Sequence, residues 1–248
     1  MLVDTHCHIH EVGYALPVNE VLLRAKEANV GKMICVGTSL ESSRQAIAMA
    51  GSTNECYASI GVHPHDTKDG YDITPFATQS TKIVAVGEIG LDYYYSHSPK
   101  EIQIKALRAQ IDVAVTNNLP IIFHVRDAFD DFWPIFDSYP QIRGVLHSFT
   151  DSTIHMQRAI DKGLYIGVNG ISTFTKDEAQ KAMFDAIPLD RLLFETDAPF
   201  LTPVPFRGKV NEPALVSAVA QYHATRRGIS LKEISNATTT NAHALFAL

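Results

Sequence analysis

Six short segments of this chain bring histidines or carboxylates directly behind an apolar run: His6-Cys7-His8, Gly61-Val62-His63-Pro64-His65, Gly87-Glu88-Ile89-Gly90-Leu91-Asp92, His124-Val125-Arg126-Asp127, His147-Ser148-Phe149 and Glu195-Thr196-Asp197. Neutral imidazole is the commonest metal-binding side chain, and carboxylates gathered in one place need cations to be stable together. In a strand, residues i and i+2 face the same side. If residues 2–8 are extended, His6 and His8 therefore project together and are suited to one metal ion. A single such pair serves equally well as surface histidines or as hydrogen-bonding groups at a strand end. The recurrence of the habit favours a metal site, provided the fold brings the six segments to one place.

The hydropathy pattern supplies elements that would do so. Short β-branched or apolar runs alternate with longer stretches of helical period, the signature of βα units on a parallel sheet. The strand candidates are residues 2–5, 32–36, 57–61, 83–86, 120–123, 144–146, 165–168 and 192–194. Helical patterns cover 18–28, 40–50, 99–117, 128–138, 153–161 and 176–186, and two more, 214–227 and 231–248, follow a loop holding Pro199, Pro203, Pro205 and Pro213. The third connection, Asp72 to Ser80, is short and carries Pro75, so its helix is expected to be brief. Eight units without a repeat or flexible linker fit one α/β domain over residues 1–248, a (β/α)8 TIM barrel, which typically needs about 250 residues. An open doubly wound sheet is the rival, but its first strand is normally followed by a Gly-rich phosphate loop, and here His6 to Glu11 follow. In a barrel the active site lies at the C-terminal ends of the strands, where these six segments stand.

Composition narrows the function. With 46% hydrophobic and 19% charged residues the chain reads as an ordinary globular protein. No run reaches the roughly 20 apolar residues of a membrane span, and the N-terminus lacks a basic segment followed by an apolar stretch, so no membrane association and a cytoplasmic location are expected. Cys7, Cys35 and Cys56 are odd in number and show no CxxC spacing, which suggests neither a disulfide framework nor a thiolate zinc site. A net charge of −6 argues against a broad basic surface for nucleic acid. Any phosphate must be met locally, by metal ions or a few arginines.

Read together, His6-Cys7-His8, GVHPHD (61–66), GEIGLDYY (87–94), FHVRDA (123–128), LHSFTD (146–151), ETDAPFLTP (195–203) and RGKVNEP (207–213) resemble the TatD-type metal-dependent deoxyribonucleases. Seven segments in register across the chain make the resemblance specific. It implies a hydrolase of DNA phosphodiester bonds on an amidohydrolase-like TIM barrel. The implied ligands are His6, His8 and Asp197 on one metal ion and His124 and His147 on a second, with Glu88 between them. Phe123 and Asp151 stand where the family often has small residues, and neither is a ligand.

This set implies two divalent ions, among zinc, manganese and magnesium, and its imidazole content suits the first two better than an all-oxygen magnesium site. Two ions about 3.5–4 Å apart polarise a phosphoryl oxygen, acidify a bound water and stabilise the leaving oxygen. Asp197 is the candidate to orient that water and take its proton, or else it is a ligand alone; Glu88 is the second candidate catalytic carboxylate. His63 and His65 are expected to contact a substrate phosphate or to buttress a ligand. Arg126 and Arg207 are the candidate phosphate contacts, since the guanidinium fork suits phosphate, and surface roles are the alternative, as for Lys209. Tyr93 to Tyr95 either stack bases or pack the rim. Asn211-Glu212-Pro213 reads as a turn into a helix, with Asn211 near its N-cap.

The rival within enzymes is an amidohydrolase-like hydrolase of a small-molecule ester or amide. Related barrels often bridge their metals with a modified lysine, and the fourth strand offers Glu88 instead. The rival outside enzymes is a decayed, non-catalytic module, but all six ligand positions keep competent residues. A concave mouth and the lack of a basic track favour single-stranded ends over duplex interiors, so exonucleolytic trimming of single-stranded DNA is expected, with no obligate protein partner.

Overall fold

The alternation read from the sequence is realised in the computed structural model, which describes residues 1–95 and 97–248. The chain runs β1 (Leu2–Cys7), α1 (Val18–Glu27), β2 (Val30–Val36), α2 (Leu40–Ser52), β3 (Cys56–Ile60), β4 (Ile83–Asp92), α3 (Lys100–Thr116), β5 (Ile121–Arg126), α4 (Phe129–Asp137), β6 (Gly144–Leu146), α5 (Thr153–Asp161), β7 (Tyr165–Val168), α6 (Ile171–Phe174), α7 (Glu178–Ala186), β8 (Leu192–Phe194), α8 (Val216–Arg227) and α9 (Leu231–Phe246). The strands form one sheet in the order β1 to β8, the order of a (β/α)8 barrel. Between β3 and β4 the chain makes two 3-10 turns, Thr67–Asp69 and Thr74–Phe76, in place of a helix, as the brevity of that connection and Pro75 led one to expect.

Two compact units are distinguished by contact density, one formed by Met1–Ile34 with Ser148–Leu248 and the other by Cys35–His147. In the discontinuous unit β7 and β8 pair in parallel, Ile166 opposite Leu192 and Val168 opposite Phe194, and every residue of β1 is buried. α9 begins at Ser230, whose side chain accepts the Glu233 N–H, the Ser-x-x-Glu arrangement that satisfies free amide groups at a helix start. It buries Ile234, Leu245 and Phe246. Asn241 Nδ2 on the same helix donates to the Leu189 and Leu192 carbonyls, at 2.8 Å each, and so ties the C-terminal helix to the base of β8.

In the continuous unit β3, β4, β5 and β6 pair in parallel. Phe123 of β5 meets Phe132 of α4 with ring centroids 5.1 Å apart, and Trp133 and Phe136 complete a buried aromatic layer behind His124. β4 is longer than the sequence suggested. The apolar run stops at Val86, but the strand continues to Asp92 and is buried throughout. Gly87 and Gly90 read as a loop because glycine weakens strands, yet a glycine in a strand also marks a close backbone approach. Gly90 pairs with His124, and a Cβ on Gly90 would overlap the His124 carbonyl oxygen. One at Gly61 would lie 2.6 Å from the Gly87 carbonyl carbon. These two glycines let the backbones around Glu88 and His124 pack closely.

Candidate metal centres

In the discontinuous unit, β1 places Asp4 and His6 on one strand face by its two-residue repeat, and His8 follows directly after the strand. Asp4 Oδ1 accepts the Thr196 N–H at 2.8 Å and Oδ2 accepts the Thr196 hydroxyl at 2.6 Å. The Asp197 N–H donates to the His6 carbonyl at 2.9 Å, and the His8 N–H to the Ala198 carbonyl at 2.7 Å. These bonds hold the turn after β8 against β1. Asp197 lies in the left-handed region at φ 58°, which Asp tolerates better than branched residues. Its Oδ1 stands 3.6 Å from His6 Nε2 and 3.3 Å from His8 Nε2, while the two Nε2 atoms are 3.1 Å apart. Metal bonds of about 2.0–2.2 Å to each of two donors set those donors roughly 3–3.5 Å apart. Two imidazoles and a carboxylate at these spacings, with both histidines buried, fit one divalent ion.

The continuous unit holds a second set around Glu88, which is 4% exposed. Glu88 Oε1 lies 2.8 Å from His124 Nδ1 and 3.6 Å from both His63 Nε2 and His147 Nε2. His124 turns its other nitrogen to Asp92, donating from Nε2 to Oδ2 at 3.0 Å, and His65 Nε2 donates to the same oxygen at 2.9 Å. The remaining Asp92 oxygen accepts the N–H groups of Tyr94 and Tyr95 at 3.0 and 2.9 Å. Burial raises the Asp92 pKa, but hydrogen bonds from His124 and the Tyr95 N–H outweigh it and hold the carboxyl well below the usual carboxylate range. Burial lowers that of His124, yet its bonds to Asp92 and Glu88 leave it raised. Burial and then the His124 charge push His63 well down, and its Nδ1 accepts the His65 N–H at 3.2 Å. His63, Glu88 and His124 each offer a donor atom within 4.8 Å of the others, which fits a second ion.

A TatD related DNase family model matches residues 3–247 of the chain. The uncharacterized metal-dependent hydrolase YabD of Bacillus subtilis (strain 168) is 39% identical, with all of both chains covered. The chain belongs to the TatD family. The 3'-5' ssDNA/RNA exonuclease TatD of Erwinia amylovora (strain ATCC 49946 / CCPPB 0273 / Ea273 / 27-3) is 33% identical, again over all of both chains. The crystal structure of YJJV, a TatD homolog from Escherichia coli K12, superposes with a TM-score of 0.92 at 30% identity, covering 100% of this chain and 98% of that one. The fold is thus the TIM barrel of the TatD metal-dependent hydrolases.

Around the two sets, the other residues singled out in the TatD segments fall into different roles. The Arg126 guanidinium lies 4.0 Å from the Tyr94 ring centroid and 5.0 Å from that of Tyr95. Arg207 Nη1 donates to the Thr202 carbonyl at 2.8 Å, and its guanidinium lies 3.9 Å from the Phe174 ring centroid, so it also pins the Pro-rich loop. Glu195 is buried and accepts the Ser148 N–H at 2.7 Å, whereas Asp66 and Asp127 are exposed. Asn211 lies next to the N-cap, Glu212, of the 3-10 turn Pro213–Leu215 that leads into α8, as expected, and it is also buried, its Nδ2 donating to the Thr196 and Phe200 carbonyls at 2.8 and 2.6 Å. Two residues of consequence had no role assigned from sequence, Asp4 and Asp92. Both carried a signal. Asp4 stands two residues before His6, and Asp92 four residues after Glu88, the spacings that share a strand face.

Proposed function

We propose that the chain is a two-metal deoxyribonuclease of one hydrolase domain, residues 1–248, that trims single-stranded DNA ends in the cytoplasm. The observation that carries this reading is the pair of donor sets, His6, His8 and Asp197 in one unit and His63, Glu88 and His124 in the other, each within 4.8 Å internally. The exonuclease name of the Erwinia relative supports nucleic acid as the substrate class. His147 joins the Glu88 set at 3.6 Å. Divalent ions supply Lewis-acid polarisation of a phosphoryl oxygen and a water of lowered pKa.

The protein's own part is positioning and proton transfer. Asp197 is partly accessible, at 15% of its side chain, and its carboxylate orients the attacking water and accepts its proton. The water oxygen bonds to phosphorus as the sugar oxygen leaves and takes up a proton. His65, tied to Asp92, keeps the His124 side of the site in place. His65, Arg126 and Arg207 are the proposed substrate contacts, while His63, expected among them, is counted with the Glu88 donors.

The test compares an end-labelled linear single-stranded oligonucleotide, the same sequence circularised and its blunt duplex, with a phosphate-free ester and a cyclic amide as further substrates. Trimming of the linear strand, abolished by chelation and restored by added metal, is the expected result. Equal cleavage of the circle would refute the requirement for ends, and turnover confined to the ester or amide would refute the nuclease.

A further inference from the structure

Resting on the reading of the substrate as a nucleic acid, we infer that Tyr94, Tyr95 and His97, with Arg126, form a stacking subsite for the bases of a single strand beside the Glu88 site. Tyr94 and Tyr95 are 58% and 44% exposed, so their rings are open to a ligand. Their planes are crossed at 83° with centroids 4.7 Å apart, and Tyr95 lies nearly parallel to His97, at 18° and 5.7 Å. The Arg126 guanidinium adds a flat cationic surface over both tyrosines. Aromatic faces and guanidinium planes are the surfaces on which unpaired bases stack, with little regard to sequence.

The backbone that carries the rings is also anchored. Asp92 accepts the backbone N–H groups of Tyr94 and Tyr95. Gln103, 1% exposed, donates to the Asp92 and Ser98 carbonyls at 3.1 and 2.9 Å and accepts the Asp92 N–H at 2.9 Å. A surface already ordered loses little freedom on binding. Location points the same way. Asp92 carries the rings with one oxygen and His124 with the other, and His65 bridges them, its ring 5.6 Å from Tyr95 and 4.7 Å from His97. Beside His97 opens a cavity of about 330 Å³ bordered also by Tyr93, Pro99 and Lys100, at the small end of the roughly 300–1,000 Å³ usual for ligand pockets. With a net charge of −6, the chain is poorly equipped to hold a strand by phosphate neutralisation. Stacking is the sequence-independent alternative.

The test uses the metal-loaded enzyme, a single-stranded oligonucleotide, and the same strand with abasic spacers in its terminal nucleotides. Tyr94→Ala/Tyr95→Ala is expected to raise KM for the intact strand by about 5- to 150-fold, the range for losing one stacked base, with kcat and metal content held near those of the parent. On the abasic strand the variant and parent should have the same KM, while Tyr95→Phe, which keeps the ring, should behave as the parent on both. The salt dependence of KM should be unchanged by the tyrosine variant and reduced by Arg126→Ala. His97→Ala provides an independent variant should the double one fold poorly. An unchanged KM on the intact strand, or an equal loss on the abasic one, overturns the subsite while leaving the nuclease reading intact. If the parent cleaves neither strand, that reading fails instead, and fluorescence anisotropy of the labelled intact strand decides the subsite: binding weakened by the variant upholds it, and no binding removes it.

Discussion

Replacing Asp92 by Asn isolates what this carboxylate does for the metal site. Asp92 Oδ2 receives N–H groups from His124 and His65, and Oδ1 receives the Tyr94 and Tyr95 backbone. An Asn keeps a carbonyl for the backbone donors, but it presents an amide nitrogen to two imidazole N–H groups that previously met a carboxylate. His124 then loses the anchor that turns Nδ1 toward Glu88. Removing the carboxylate behind a metal-binding histidine typically costs about 10- to 100-fold in ion affinity or activity, equal to about 1.4–2.7 kcal/mol. On the two-metal proposal, we expect a loss of that size for one ion with the other unaffected, together with a lower thermal stability of the metal-free protein at neutral pH, because a carboxylate held below its usual range stabilises the fold there. Asp92→Ala should in addition release the Tyr94 and Tyr95 N–H groups and lower stability by about 0.5–1.5 kcal/mol for each lost bond. The assay is a competitive chelator titration with ion counting, alongside thermal melts of the chelated proteins. An Asn variant that binds two ions with parental affinities would falsify the reasoning.

Three further outcomes follow from other parts of the molecule. Burial, and then the charges of Arg227 and Arg226 against the opposing Asp185, push His223 down to about 3, while its Nε2 meets Ser172 Oγ at 2.8 Å. Between pH 6.5 and 3 the unfolded chain carries a proton there that the folded chain does not, so stability is full above that window and falls by about 1.4 kcal/mol per pH unit below 6.5. Urea unfolding at pH 7 and pH 5 should therefore show a loss in the parent that is about 2 kcal/mol smaller in His223→Gln; equal losses would show that His223 does not titrate this way. Asn211→Ala strips two carbonyls of a buried donor and should cost about 1–3 kcal/mol, read as a lower Tm, whereas an unchanged Tm would leave the Pro-rich loop held by other contacts. Gly90→Ala forces β4 away from the His124 carbonyl and should lower metal content together with stability; normal occupancy would mean that the strand pair yields without moving His124.

The features that were legible in the sequence are those with a local cause. Apolar runs bounded by turn residues gave the eight strands nearly in place, and Pro75 marked the connection that lacks a helix. His6 and His8 could be paired from their spacing alone, because a strand face repeats every two residues. What escaped depends on partners far along the chain. The extension of β4 through Gly87 and Gly90 is stabilised by pairing with β5, so the segment reads as a loop in isolation. Asn211 stands near the N-cap as its place before Glu212-Pro213 suggests, but its hold on the Thr196 and Phe200 carbonyls depends on where the chain folds back. The entry of His63 into the Glu88 set depends on side-chain directions around Pro64, which spacing does not determine.

The division of donors between a continuous and a discontinuous unit bears on the order in which the protein is made. Every member of the Glu88 set, His63 through His147, lies in the unbroken stretch Cys35–His147. That stretch is synthesised before Asp197 is. His6 and His8 are among the first residues to emerge, yet they wait for almost the whole chain before Asp197 can close over them. The later-coded carboxylate is the clasp that joins the beginning of the polypeptide to its final third.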